Sequence, residues 1–230
     1  MNIPHPRHTG SQLLVPLAAL VLFGGGVALA LLWAPGDVDQ GASQRIFYLH
    51  VPIALVSYGL FGIGAWKAFR LLATREERFD LESYTAVHLG VVFAAMTLVT
   101  GSIWARASWG AWWSWSERQL VLFLFLFLFY AAYFMLRFSV EEGRRRSQLS
   151  AVFALFGVML IPVSFLAIRL AENFIHPVVF SREGPQMAGE MFFTFSVCLA
   201  GAGFLAAALY RTELTGKRLD LELRDLREVR

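Results

Sequence analysis

Six apolar stretches, each long enough to cross a lipid bilayer, constrain this chain more than any other feature. They lie at residues 13–33, 48–69, 84–103, 119–137, 149–170 and 189–210. A helix needs about 20 residues to traverse roughly 30 Å of hydrocarbon. Within lipid every backbone polar group must be satisfied internally, which leaves only helices or closed barrels. A barrel would show two-residue alternation in runs of about ten residues, whereas residues 121–129 read VLFLFLFLF without a polar position. The expected fold is therefore an all-α membrane protein, a bundle of six transmembrane helices forming a single domain over residues 1–230. Composition agrees. The chain is 57% hydrophobic and 16% charged, against about 45–50% and about 25% for a soluble domain, so water would face too much apolar surface. The first run is too long for a signal-peptide core and lacks a clear cleavage site, so it is read as a retained span.

The few charges set the orientation. Of the 20 Lys and Arg residues, 15 fall in the N-terminus, the 2–3 connection, the 4–5 connection and the C-terminal tail. The other five are Arg45, Arg106, Arg118, Arg169 and Arg182. Basic loops stay on the cytoplasmic side, so both termini are expected there. Residues 34–47, 104–118 and 171–188 then face outward. The sequence pI of about 9.3 and net charge of +3 are explained by basic loops against anionic lipid, without a nucleic acid partner. A lone cysteine, Cys198, excludes an internal disulfide and a Cys-x-x-Cys clamp. No Cys-x-x-Cys-His haem-attachment motif and no phosphate-binding Gly-x-x-x-x-Gly-Lys-Ser/Thr loop is present.

Chemistry-bearing residues gather in the outward connections. Five of the seven tryptophans (Trp104, Trp109, Trp112, Trp113 and Trp115) lie in the twelve residues WARASWGAWWSW, 104–115. Were this stretch helical, Trp109, Trp112 and Trp113 would share a face. Such indoles can anchor a helix in the headgroup layer or stack on a flat apolar ligand. His50 lies in RIFYLHVP, residues 45–52, early in the second span, where Pro52 is tolerated because early helix amides lack partners. His176 lies in NFIHP, residues 173–177. Either histidine could be structural. Together, on one side of a membrane and flanking an indole platform, they could fill both axial positions of a haem iron. Arg45, Arg106, Arg118 and Arg182 are candidate partners for its propionates, since the guanidinium fork matches a carboxylate. Zinc would require further ligands of the right type. His88, inside the third span, is either a functional group or a neutral imidazole bonded to a neighbouring helix. The span glycines 24–26, 59, 62 and 64 are read as close-packing positions, and Pro162 as a kink in the fifth span.

Residues 101–115, GSIWARASWGAWWSW, closely resemble the signature segment of the haem-handling family of cytochrome c maturation. Residues 45–52 resemble the segment carrying that family's first outer histidine. The six-span length resembles CcmC rather than the longer CcmF or CcsA relatives. The resemblance implies a bacterial cytoplasmic (inner) membrane protein that holds haem transiently and non-covalently at the periplasmic face. It implies His50 and His176 as axial ligands, with Trp109, Trp112, Trp113 and Trp115 as the platform. It also implies delivery to a CcmE-like haem chaperone, beside a CcmA/CcmB ABC transporter and a CcmD-like small subunit. Such a protein orients haem, while bond formation belongs to haem and the chaperone. Where the family carries Asp directly after the last tryptophan, this chain has Ser116 followed by Glu117. Read from residue types alone, a haem-containing quinone-linked electron carrier, a transporter through the bilayer and a structural subunit remain open.

Overall fold

The computed structural model describes residues 11–36, 40–164, 180–181, 184–185 and 187–228. Among these, six helices are long and apolar enough to cross a membrane. They are built on α1 (Ser11–Leu32), α2 (Phe47–Thr74), α3 (Arg78–Trp109), α4 (Arg118–Ser139), α5 (Arg144–Val158) and α6 (Gly189–Glu228), the fifth span running on past α5 to Ser164. A short 3-10 helix, Ala42–Ile46, runs directly into α2. A two-residue hairpin pairs β1 (Phe180–Ser181) antiparallel with β2 (Gly184–Pro185). Several helices outrun the bilayer. At 1.5 Å per residue, α3 is about 48 Å long and α6 about 60 Å, so both project beyond the hydrocarbon.

Helix endings follow local chemistry. α2 stops at Arg75 in the left-handed conformation, φ 60°, whose N–H returns to the Leu71 carbonyl. α3 stops at Gly110, φ 75°, ψ 0°, a conformation that costs glycine little. α5 breaks at Met159 and helical residues resume through Ser164. Pro162 lacks the N–H that would reach the Val158 carbonyl, so the break falls where that bond is missing. Pro52 lies five residues past the start of α2. It is thus in the second turn and not among the early unpartnered amides, and the carbonyl it leaves is that of buried Tyr48.

Helix contacts are built on small residues. A Cβ added to Gly64 would meet Val87 at 2.8 Å, and one on Gly90 would meet Phe61 at 2.6 Å, which brings α2 and α3 together. The Ser83 hydroxyl donates to the Gly64 carbonyl across the same seam at 2.8 Å. Phe61 stacks on Tyr130 of α4, with centroids 3.8 Å apart and planes 1° apart. α1 packs against α6, where Gly26 faces Cys198 and Gly201 faces the backbone of Phe23. Of the glycines expected to pack, 26 and 64 do so, whereas 24, 25, 59 and 62 face open space. A helix turns about 100° per residue, so neighbouring glycines cannot all face one partner.

Polar lashings join the helices at the end opposite the tryptophans. Arg137 of α4 donates two hydrogen bonds to Asp80 of α3, at 2.8 and 2.7 Å, and is buried. Glu82 of α3 pairs with Lys67 of α2 at 2.7 Å and Arg218 of α6 at 3.0 Å. In the 4–5 connection the Arg146 guanidinium holds the Glu142 carboxyl below the usual range.

Candidate functional site

Consecutive helices alternate in direction, so the start of α2, the end of α3 and the start of α4 lie at one end of the bundle. His50 occupies the first turn of α2. Its Nδ1 lies 3.0 Å from Thr100 Oγ1 of α3. The Thr100 hydroxyl also reaches the Met96 and Thr97 carbonyls at 2.9 and 3.2 Å; when its one hydrogen goes to either carbonyl, it accepts from His50 Nδ1–H. A proton on Nδ1 leaves the neutral imidazole's lone pair on Nε2, the form in which histidine ligates iron. The ring lies flat enough on α3 that a Cβ at Gly101 would stand 2.8 Å from His50 Cε1.

The tryptophan stretch divides in two. Trp104 and Trp109 ride the last turns of α3, while residues 110–117 form a loop. The face that Trp109, Trp112 and Trp113 would share in a continuous helix is therefore not formed, because Gly110 turns the chain out of the helix before Trp112. The indoles instead meet in two edge-on pairs. Trp104 and Trp109 have centroids 4.9 Å apart, and Trp113 and Trp115 5.7 Å apart. Trp104 Nε1 donates to Gln40 Oε1 at 3.3 Å, and Ser43 and Ser108 hydroxyls meet at 3.2 Å. These bonds dock the first outward connection on α3. Trp112 and Trp115 are 61% and 73% exposed, so their faces are open to a planar ligand. Trp113 Nε1 is buried and has no hydrogen-bond partner among the described residues.

The arginines are distributed around this end. Arg45 Nη1 donates to the Leu31 carbonyl at the end of α1. Arg106 Nη1 donates to the Gly110 carbonyl and so closes the end of its own helix. Arg118 opens α4 and is exposed. Each of the first two keeps further N–H groups beyond its backbone bond. His176, Arg169 and Arg182 lie outside the described residues. Ser116 is exposed and its hydroxyl meets that of Ser114 at 2.8 Å, whereas Glu117 is buried at the N-terminus of α4. Its side chain makes no cap bond, and the positive end of α4 favours its charge there. Of the two positions that follow the last tryptophan, Glu117 is the one that turns its carboxyl inward.

Gln40 and Gln44 were not singled out from sequence. Gln44 is buried, and its Nε2 donates to the Tyr48 hydroxyl at 3.3 Å while Oε1 has no partner among the described residues. A glutamine in a polar connection carries no sequence signal; its role comes from burial against α2.

With this geometry in view, comparison with known proteins is informative. The sequence model of CcmC, heme exporter protein C, matches residues 8–227. The chain belongs to the CcmC family. Heme exporter protein C of Haemophilus influenzae is 30% identical over 204 residues, covering 88% of this chain and 81% of that relative. Heme exporter protein C of Escherichia coli K12 is 33% identical over 147 residues, 64% of this chain and 60% of that protein. A putative cytochrome c biosynthesis ccmC-like mitochondrial protein of Arabidopsis thaliana is 29% identical over 194 residues, 84% of this chain and 73% of the relative. The CcmC matches and the six apolar helices agree on a multi-pass membrane protein.

Proposed function

We propose that this chain handles haem in cytochrome c maturation, binding it at the periplasmic face of the bacterial cytoplasmic membrane and delivering it to a CcmE-like haem chaperone. Haem is here the cargo. The observation that carries the reading is that His50, its Nδ1 held on Thr100, and the tryptophan loop lie at one end of the bundle. In this reading His50 and His176 ligate the iron, the latter by resemblance to the family. Trp112 and Trp115 cover the porphyrin, while Trp104, Trp109 and Trp113 shape the seat. Arg45 and Arg106 meet the propionates with the N–H groups their backbone bonds leave over, and Arg118 does so from its exposed place at the start of α4. Family membership supports the further partners, a CcmA/CcmB ABC transporter and a CcmD-like small subunit. An open loop of indoles suits transient holding, because one porphyrin edge stays accessible to a soluble chaperone domain.

The test is spectroscopic. The purified protein is expected to show a Soret band that His50→Ala and His176→Ala each weaken or shift; a spectrum unchanged in both removes the two-ligand reading. Delivery is tested by incubating the loaded protein with a CcmE-like chaperone and following haem to the chaperone. Haem that cycles with quinol but never leaves would favour an electron carrier instead.

A further inference from the structure

A second histidine is presented in the same manner at the opposite end. His88 lies on α3, and its Nδ1 is 2.8 Å from Glu213 Oε1 of α6. A carboxylate only accepts hydrogen bonds, so Nδ1 carries the proton and the neutral ring's lone pair lies on Nε2. A carboxylate behind an imidazole is the usual support of a metal-ligating histidine, fixing its tautomer and orientation. No hydrogen bond reaches His88 Nε2 among the described residues, and the side chain is 44% exposed.

The surroundings suit one ligand class. Tyr84 and His88 of α3 lie between α4 and α6, which share few contacts among the described residues: both rings meet Phe134 of α4, while Lys217 and Glu213 of α6 reach Tyr84 and His88, so the two helices flank a cleft along this face of α3. The Phe134 ring meets His88 edge-on, centroids 6.0 Å apart, and Phe138 beyond it is 70% exposed. The cations are close by. Lys217 Nζ lies 3.8 Å from the Tyr84 ring centroid while pairing with Glu213. Arg146, at the start of α5, pairs with Glu142 at 3.0 Å, and its Nε is buried with no hydrogen-bond partner among the described residues. An accessible imidazole nitrogen, aromatic walls and cations at the rim match a flat, apolar, iron-centred ring bearing carboxylates.

We propose that this cleft is a second haem site, at the basic and therefore cytoplasmic end, with His88 as the iron ligand and Glu213 as its positioning residue. The proposal rests on the haem-handling reading above and adds a place where haem from the inner side is first held. It also accounts for a half-exposed imidazole and a largely covered carboxylate near the edge of the hydrocarbon, where an ionisable group is costly.

The full-length protein in detergent, titrated with iron protoporphyrin IX, tests this. In a His50→Ala/His176→Ala background a residual Soret band is expected. Adding His88→Ala removes it, and free imidazole restores it. Glu213→Gln weakens the residual site by about 10-fold, in line with loss of a carboxylate behind a ligating histidine. His88→Gln, which preserves size, gives the same loss as His88→Ala, with size-exclusion elution unchanged. A residual band indifferent to His88, or no band once His50 and His176 are gone, overturns the inner site and leaves the outer one standing. A band that depends on His88 alone removes the outer reading and keeps the inner site. A purely structural His88–Glu213 pair would lower the melting temperature on mutation without moving any haem band.

Discussion

The imidazole of His50 occupies the space that a side chain at residue 101 would need: His50 Cε1 is 2.8 Å from the position of a Cβ on Gly101. The preceding residue, Thr100, hydrogen-bonds the ring's Nδ1 through Oγ1 at 3.0 Å. Two adjacent positions on α3 therefore set where the ring lies and hold its Nδ1 edge against the helix. Gly101→Ala should leave the helix intact, since alanine favours helix, yet push the ring aside. The expected result is haem affinity lowered by roughly 10-fold or more, as for loss of a residue supporting a ligand. Thr100→Val should lower it by the same mechanism. Titration followed by absorbance checks both, and wild-type affinity in Gly101→Ala would refute the positioning role.

The buried Asp80–Arg137 pair makes a prediction about stability. Asp80→Asn leaves the Arg137 guanidinium buried against a neutral partner, and breaking a buried pair costs roughly 3–5 kcal/mol. Replacing both residues, as Asp80→Leu with Arg137→Met, should recover most of that loss, because no uncompensated charge remains. Thermal unfolding in detergent measures both; equal loss in the single and double variants would show that the pair's value lies elsewhere.

The α1–α6 seam is tested by two glycines on α6. A Cβ at Gly201 would stand 2.5 Å from the Phe23 amide nitrogen, whereas at Gly203 it meets nothing within 4 Å. Backbone cannot swing aside as a side chain can. Gly201→Val should therefore cost at least about 1–3 kcal/mol through overpacking and expose α1 to protease, while Gly203→Val stays near wild type. Similar melting temperatures for the two would contradict the seam.

The tryptophans should separate into two groups. Trp112 and Trp115 are exposed, so Trp112→Ala and Trp115→Ala are expected to leave the melting temperature unchanged and to weaken haem binding. Trp104 ties α3 to Gln40 and packs on Trp109, so Trp104→Ala should lower stability as well. Differential scanning fluorimetry beside haem titration reads both, and destabilisation by Trp112→Ala would mark it as an anchor.

Much of this was legible in the residues. The six helices followed from run length, and the gathering of His50 with the tryptophans at one end followed from the alternation of spans. The third span was expected to end near residue 103 and the tryptophan stretch to lie in the connection, its shared face holding only were the stretch helical; α3 instead runs on to Trp109 and stops at Gly110. The extension of α3 through Trp109 escaped notice because tryptophans at an interface look alike in helix and loop. Which glycines pack could not be read either: residues 24, 25 and 26 are equivalent in sequence, and only the rotation of α1 against α6 selects Gly26.

Segment length and charge by themselves determined that this chain crosses a membrane six times and which residues share an end. An apolar run of about 20 residues has few other stable outcomes. Only the tertiary structure decided which partner each polar side chain has: Thr100 for His50, 50 residues away, Glu213 for His88, 125 residues away, and Arg137 for Asp80, 57 residues away. Those pairings depend on the rotation and depth of one helix against another. Both are set by many small contacts summed over distant segments, and no local pattern records them.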